Sequence, residues 1–190
     1  KLENLVGFFV GPLPAAPPFG AVGAGGARRQ NVGSMENSGL DLAAAAALFG
    51  PDGGLFGTTD WSLRAQANVQ FLDAEFTSGP ARGFTPQYAP ETLVRASLTW
   101  TGSKGLKAAL FHTAVSGQNG ADNPSPDFRI PAYAIWDASI EIPFGERIVL
   151  SGQINNLLDE AYVARIRPGG GGGIDPGAPR NAALSLAWRF

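Results

Sequence analysis

Cysteine is absent from the 190-residue chain. Its absence excludes disulfides, thiolate nucleophiles and thiolate zinc sites. Histidine occurs once, at His112, so a multi-histidine metal centre is excluded too. A Ser-His-Asp relay would depend on that single ring, and a lone histidine in a strand reads as a packed or solvated side chain. Charge is scarce, at 16% of residues against about 25% in a typical soluble domain. The 14 basic and 16 acidic residues leave a net charge of −2, which offers no field to a nucleic-acid backbone or an anionic surface. Apolar runs are short. The longest, Ala43 to Phe49, falls far below the roughly 20 residues of a helical membrane span, and no signal-peptide pattern opens the chain. The first residue is Lys1 rather than Met, which leads us to expect that the natural start lies upstream. Glycine (26) and proline (15) are plentiful, and hydrophobic residues, at 44%, are enough to exclude disorder through lack of apolar surface.

The dominant pattern has period two. In Trp61 to Phe71, Trp61, Leu63, Ala65, Ala67, Val69 and Phe71 alternate with Ser62, Arg64, Gln66, Asn68 and Gln70. A strand places such residues on opposite faces; a helix does not. Ala134 to Ile142, Ile148 to Asn155, Thr92 to Trp100 and Asn181 to Phe190 follow the same rule. Leu106 to Ser116 is strand-like with its face undecided, and Leu2 to Val10 is a weaker apolar strand. Ser38 to Leu48 is alanine-rich, which favours a helix by propensity, but Leu40, Leu42, Ala44, Ala46 and Leu48 fit one strand face. With strands on every side, a strand is the expectation there.

The connections between these eight segments alternate in length. Gly50 to Gly54, Gly102 to Gly105 and Pro143 to Glu146 are short and made of turn residues. Gly11 to Val32, Ser78 to Pro90, Gln118 to Pro131 and Asp159 to Ala178 are long. An antiparallel up-and-down meander follows, with short turns at one end and long loops at the other, as in transmembrane β-barrels. Alternation alone does not choose the buried face: a soluble β-sandwich would bury the apolar side, and a membrane barrel would turn it to lipid. Three features favour the barrel. The polar face is richer in Ser, Thr, Asn and Gln than in Lys and Glu. The aromatics Phe49, Trp61, Trp100, Phe144, Trp188 and Phe190 gather at the short-turn ends, where a membrane-interface girdle would lie. The last strand ends on an aromatic of the apolar face, Phe190.

Several segments resemble one family. Ile130 to Phe144, Ser151 to Ile166 with its Asn155-Asn156-Leu157-Leu158-Asp159 run and Tyr162, and Gly173 to Phe190 with Pro176-Gly177-Ala178-Pro179-Arg180 resemble the C-terminal end of TonB-dependent outer-membrane receptors. The likeness is greatest to the ferric-citrate and ferric-siderophore type. Asn31 to Leu42 and Val69 to Gly79 are similar to barrel strands of the same family. The resemblance implies an all-β fold in which residues 1–190 form the C-terminal portion of a barrel of about 22 strands, without the N-terminal plug domain. It implies TonB-dependent uptake of a ferric chelate across the outer membrane of a Gram-negative bacterium. It implies no catalytic residue, no cofactor and no bound metal. The implied partners are the ferric chelate, outer-membrane lipid, the TonB energy-coupling system acting through the missing plug, and the barrel-assembly machinery reading the C-terminal strand. Two other readings stay open at this stage: an autonomous eight-stranded outer-membrane barrel and a soluble β-sandwich binding module.

Ferric chelates are mostly anionic, so loop cations are the candidate ligand contacts. Arg82, Arg129, Arg165 and Arg167 lie in or beside long loops, as do Arg28 and Arg29, and guanidinium forks suit carboxylate oxygens. Trp61, Trp100, Phe144, Trp188 and Phe190 are the expected membrane-interface aromatics. Asn155, Asn156 and Asp159 sit at a strand end and are expected to organise the following loop through side-chain to backbone bonds. The Gly169 to Gly173 run lacks the Gly-Lys-Ser/Thr ending of a phosphate loop and reads as a flexible loop.

Overall fold

The structure, a computed structural model, describes residues 2–12, 25–122, 128–167 and 173–190, with side chains from residue 33 onward. The Arg28 and Arg29 side chains and most of the Gly169–Gly173 run lie outside the described residues. The elements in chain order are β1 (Leu2–Pro12), β2 (Gly25–Phe49), β3 (Ser62–Phe76), β4 (Thr92–Thr101), β5 (Lys107–Val115), β6 (Gln118–Asn119), β7 (Arg129–Ile130), β8 (Tyr133–Phe144), β9 (Ile148–Asn155), β10 (Val163–Arg167), β11 (Gly173–Pro176) and β12 (Asn181–Trp188). Eight of them form one sheet in the order β1-β2-β3-β4-β5-β8-β9-β12. Every pairing is antiparallel between strands that follow one another along the meander. All eight expected strands are present, the alanine-rich one included.

The register decides the faces. Directly opposed residues share a face, and the row Ala44, Ala67, Ala96, His112, Trp136 crosses five strands. The rows beside it are Ala46, Ala65, Leu98, Leu110, Ala138, Ile154, Ala182 and Leu42, Val69, Val94, Ala114, Ala134. The face of 106–116 left open by the sequence is thereby settled: Ala108, Leu110, His112 and Ala114 lie on the apolar side. The opposite face carries Asn68, Arg95 and Thr113 in one row and Gln66, Ser97, Phe111 and Asp137 in another. Among the described residues no second sheet covers the apolar face, and Leu40, Leu42, Phe71, Leu98, Ile140, Leu184, Leu186 and Trp188 are all exposed. Nor do β1 and β12 pair with each other. The described sheet is open, which fits neither a sandwich nor a closed eight-stranded barrel.

On β3 the faces exchange character above Phe71. Below it the apolar residues point to the bare face. Beyond it Ala74 and Phe76 turn to the other side and are buried, while Asp73 and Glu75 take the outward positions. Opposite them, β2 places Glu36 against Glu75 and Ser38 against Asp73. The apolar band therefore runs from Phe71 to Trp61. About ten steps of ~3.4 Å, tilted by ~40–45°, give it a height of ~25 Å, the thickness of a barrel's lipid-facing band.

The connections depart from expectation in four places. The expected loop at Gly11–Val32 shrinks, because β1 and β2 continue as a paired ribbon to Pro12 and Gly25. Two loops expected to be irregular contain short ladders, β6 with β7 and β10 with β11. The connection after β2 extends from Gly50 to Trp61, well past Gly54. The turn after β8 is as tight as expected, with Gly145 at φ 65, a conformation that suits glycine.

Candidate functional site

The long-loop end is where the chain departs from plain barrel wall. Three loops meet there. From the β3–β4 loop, the Tyr88 amide donates to the Asn119 carbonyl at 2.8 Å and the Gln87 amide to Asp122 Oδ1 at 2.9 Å. Asn119 Nδ2 donates in return to the Thr85 carbonyl. The Tyr88 hydroxyl reaches the Ile166 carbonyl of β10 at 2.6 Å. Tyr88 holds φ 55, an uncommon conformation for a bulky residue, and these bonds to two other loops are what keep it there. Beneath them lies a small apolar core outside the main sheet, made of fully buried Ile130 with Ile166 and Ala121. Gly120 is required at its centre, because a Cβ there would lie 2.8 Å from Ile166 Cβ and 3.0 Å from the Phe128 carbonyl oxygen. Gly120→Val is expected to pry β6 from β10 and cost about 1–3 kcal/mol locally. Protease cutting within 157–180 should rise several-fold, and unchanged cutting would show that the loops are not mutually braced.

The β9–β12 loop is anchored at its root by Asn156, which is buried. Its Nδ2 donates to the carbonyls of Glu160 (2.9 Å) and Ala178 (3.0 Å), and its Oδ1 accepts from the Glu160 amide (2.9 Å). Its own amide donates to Asp137 Oδ1. Asp159 Oδ1 accepts from the Arg180 amide and Asn155 Nδ2 donates to Asn181 Oδ1. Asn156 and Asp159 organise the loop through side-chain to backbone bonds, as expected, whereas Asn155 bonds a side chain of the neighbouring strand β12 instead of the loop backbone. Tyr162, in the same loop, stacks on Tyr133 with centroids 4.4 Å apart.

The four arginines are brought to this end but not to one point. Arg167 is ion-paired with Asp175 at 2.6 Å. Strand alternation places Arg165 beside it, on the ribbon face opposite buried Ile166. Arg129 is the exposed partner of buried Ile130 in β7, with Nη2 3.5 Å from the Cβ position of Gly117. Arg82 lies in a separate exposed turn, its amide bonded to the Gly79 carbonyl. The loop core and the Tyr88 link were not foreseen. The only trace of them in the sequence is Pro86 and Pro90 bracketing an aromatic.

At the other end, Phe49 and Trp61 lie 5.1 Å apart and Trp188 and Phe190 5.3 Å apart. Trp100 and Phe144 stand at the matching ends of β4 and β8. His112 lies on the apolar face with its ring 4.2 Å from Trp136. Its register partners, Ala96 and Trp136, supply neither a nucleophile nor a carboxylate, and Nδ1 is buried without a partner among the described residues. It is a packed side chain. No group of metal-ligating side chains occurs among the described residues.

Residues 9–157 match the family model described as "TonB dependent receptor-like, beta-barrel". The chain belongs to that family. No curated protein matches the chain. Among solved structures, this TonB-dependent receptor barrel is similar to the ferric yersiniabactin uptake receptor FyuA of Yersinia pestis, with a TM-score of 0.71 and 20% identity over 86% of this chain and 25% of that one. It is similar to the ferric citrate transporter FecA (TM-score 0.67, 21% identity, 83% and 24%). The siderophore receptor PiuA of Acinetobacter baumannii is a third likeness (0.66, 18%, 85% and 23%). The chain spans about a quarter of the length of these structures. The family comprises outer-membrane receptors and transporters rather than enzymes.

Proposed function

We propose that this chain is the C-terminal barrel portion of an outer-membrane receptor of a Gram-negative bacterium, importing an anionic ferric chelate, a siderophore complex or ferric citrate. The observation that carries the reading is the single open sheet of a TonB-dependent receptor barrel, with a bare apolar band on one face and a polar wall on the other. Lipid would cover the band, and the polar wall would line a lumen. The similarity to proteins named as ferric yersiniabactin and ferric citrate receptors supports the cargo class. Coupling to TonB would run through a plug domain, and the Asn181–Phe190 strand would be read by the barrel-assembly machinery. Trp61, Trp100, Phe144, Trp188 and Phe190 would sit at the membrane–water boundary.

The braced loops would form part of the vestibule wall, with Arg82, Arg129 and Arg165 offering guanidinium groups to the chelate and Arg167 held by Asp175. The test is uptake of radioactive ferric chelates by cells that lack their own receptors and express the full-length protein. One chelate class should accumulate in a TonB-dependent manner, and accumulation of none would overturn the reading. In that background Arg129→Ala or Arg165→Ala is expected to weaken chelate binding about 10- to 100-fold, from the ~1.5–3 kcal/mol of a hydrogen bond to a charged group. Unchanged affinity in both variants would remove the arginines from the site.

A further inference from the structure

The Gly50–Trp61 connection is longer than its neighbours at the same end, 102–106 and 145–147, and it is not loose. The Gly53 amide donates to the Gly50 carbonyl, the Leu55 amide to Ala47, the Phe56 amide to Leu48 and the Thr59 amide to Gly50, all within 3.1 Å. Thr59 Oγ1 donates to the Trp61 carbonyl. Gly54 lies so close to the end of β2 that a Cβ there would stand 2.6 Å from the Leu48 carbonyl oxygen. The fold thus holds the segment flat against the strand end. Yet the two large apolar residues it carries are among the most exposed in the chain, Leu55 at 71% and Phe56 at 68%. The pair is thus presented on an ordered backbone, open to whatever surface can cover it.

The cover follows from what the pair adjoins. The Phe56 ring is 5.8 Å from Phe49, and Phe49 is 5.1 Å from Trp61. Phe49 stands opposite Leu63 on the apolar face. Phe56 therefore prolongs the lipid-facing band past the ends of the strands, and Leu55 is exposed beside it. We propose that this connection is a foot that inserts Leu55 and Phe56 among phospholipid headgroups at the short-turn rim, on the periplasmic leaflet. Amphipathic elements with an exposed apolar tip behave this way at membrane interfaces. Asp52 and Asp60 flank the tip and would be repelled by an anionic surface, so the lipid it takes is zwitterionic. The inference rests on the outer-membrane reading.

The test places single spin labels at L55C, F56C, D52C and L186C of the full-length receptor in phosphatidylethanolamine–phosphatidylcholine vesicles. Collision with oxygen, which concentrates in lipid, is compared with collision with a water-soluble nickel chelate. Labels at 55 and 56 should favour oxygen several-fold over nickel, approaching the label at 186, while the label at 52 behaves as in water. Water-like labels at 55 and 56 beside a lipid-like 186 would overturn the foot and leave the barrel reading intact. Labels at 55 and 56 closed to both reagents would overturn it in favour of a protein contact. A water-like label at 186 would overturn the membrane reading itself and the foot with it. All four positions are exposed, so no label replaces a buried side chain; F56C gives up only the ring contact with Phe49, which L55C keeps.

Discussion

Asn156→Ala is expected to destabilise the receptor barrel by about 3–5 kcal/mol. Three side-chain hydrogen bonds disappear from a buried site, each with a net value of ~1 kcal/mol and more where the abandoned partner stays dry. A further ~1 kcal/mol comes from backbone conformation, because Asn156 sits at φ 51, which asparagine tolerates better than alanine. Two companion variants separate the contributions. Asn156→Gly removes the bonds but accepts the backbone, so it should cost about 1 kcal/mol less. Asn156→Asp retains the acceptor for the Glu160 amide but sets a carboxylate against the carbonyls of Glu160 and Ala178, so it should fare no better than alanine. The measurement is the denaturant midpoint of the full-length receptor refolded into lipid vesicles. An alanine variant within ~0.5 kcal/mol of the parent would mean that the loop root is held by something other than this side chain.

The second large effect is Leu98→Arg. Leu98 lies between Ala65 and Leu110 on the apolar face, well inside the band. An arginine on the lipid side near the bilayer midplane costs ~2–4 kcal/mol. The adjacent substitution Ser97→Arg places the same side chain among Gln66, Phe111 and Asp137 on the polar face, where its cost should stay below ~1 kcal/mol. The fraction of receptor running as the compact, heat-modifiable band on gels reads the contrast. Equal losses at 97 and 98 would contradict the assignment of inside and outside.

Much of this architecture was legible because a barrel wall writes its two environments into alternate residues. Trp61 to Phe71 is long enough to leave no helical interpretation, and even the alanine run of β2 betrays itself through Leu40 and Leu42. The loop ladders were not legible for the reason that the strands were: β6 and β7 are two residues each, too short to show any period. The upper part of β2, with Arg28-Arg29-Gln30-Asn31, has no alternation to read. Asn156 could be suspected from its position at a strand end, since asparagine favours such bonds. Tyr88 could not, because its hydrogen bond spans 78 residues of sequence. Leu55 and Phe56 escaped notice because glycines on both sides made the segment look like ordinary turn.

The paired extension of β1 and β2 beyond the rest of the sheet has a consequence for what would meet this protein first. From Met35 outward, β1 and β2 continue as a paired ribbon to Pro12 and Gly25, a run of about ten residues that adds ~30 Å of hydrogen-bonded backbone. On the proposed orientation, the first part of the molecule that an antibody or a bacteriophage meets is this two-stranded mast. Its backbone is paired in register, with Phe8 opposite Arg29 and Val6 opposite Asn31, so whatever binds the folded ribbon meets two stretches of chain that are distant in sequence.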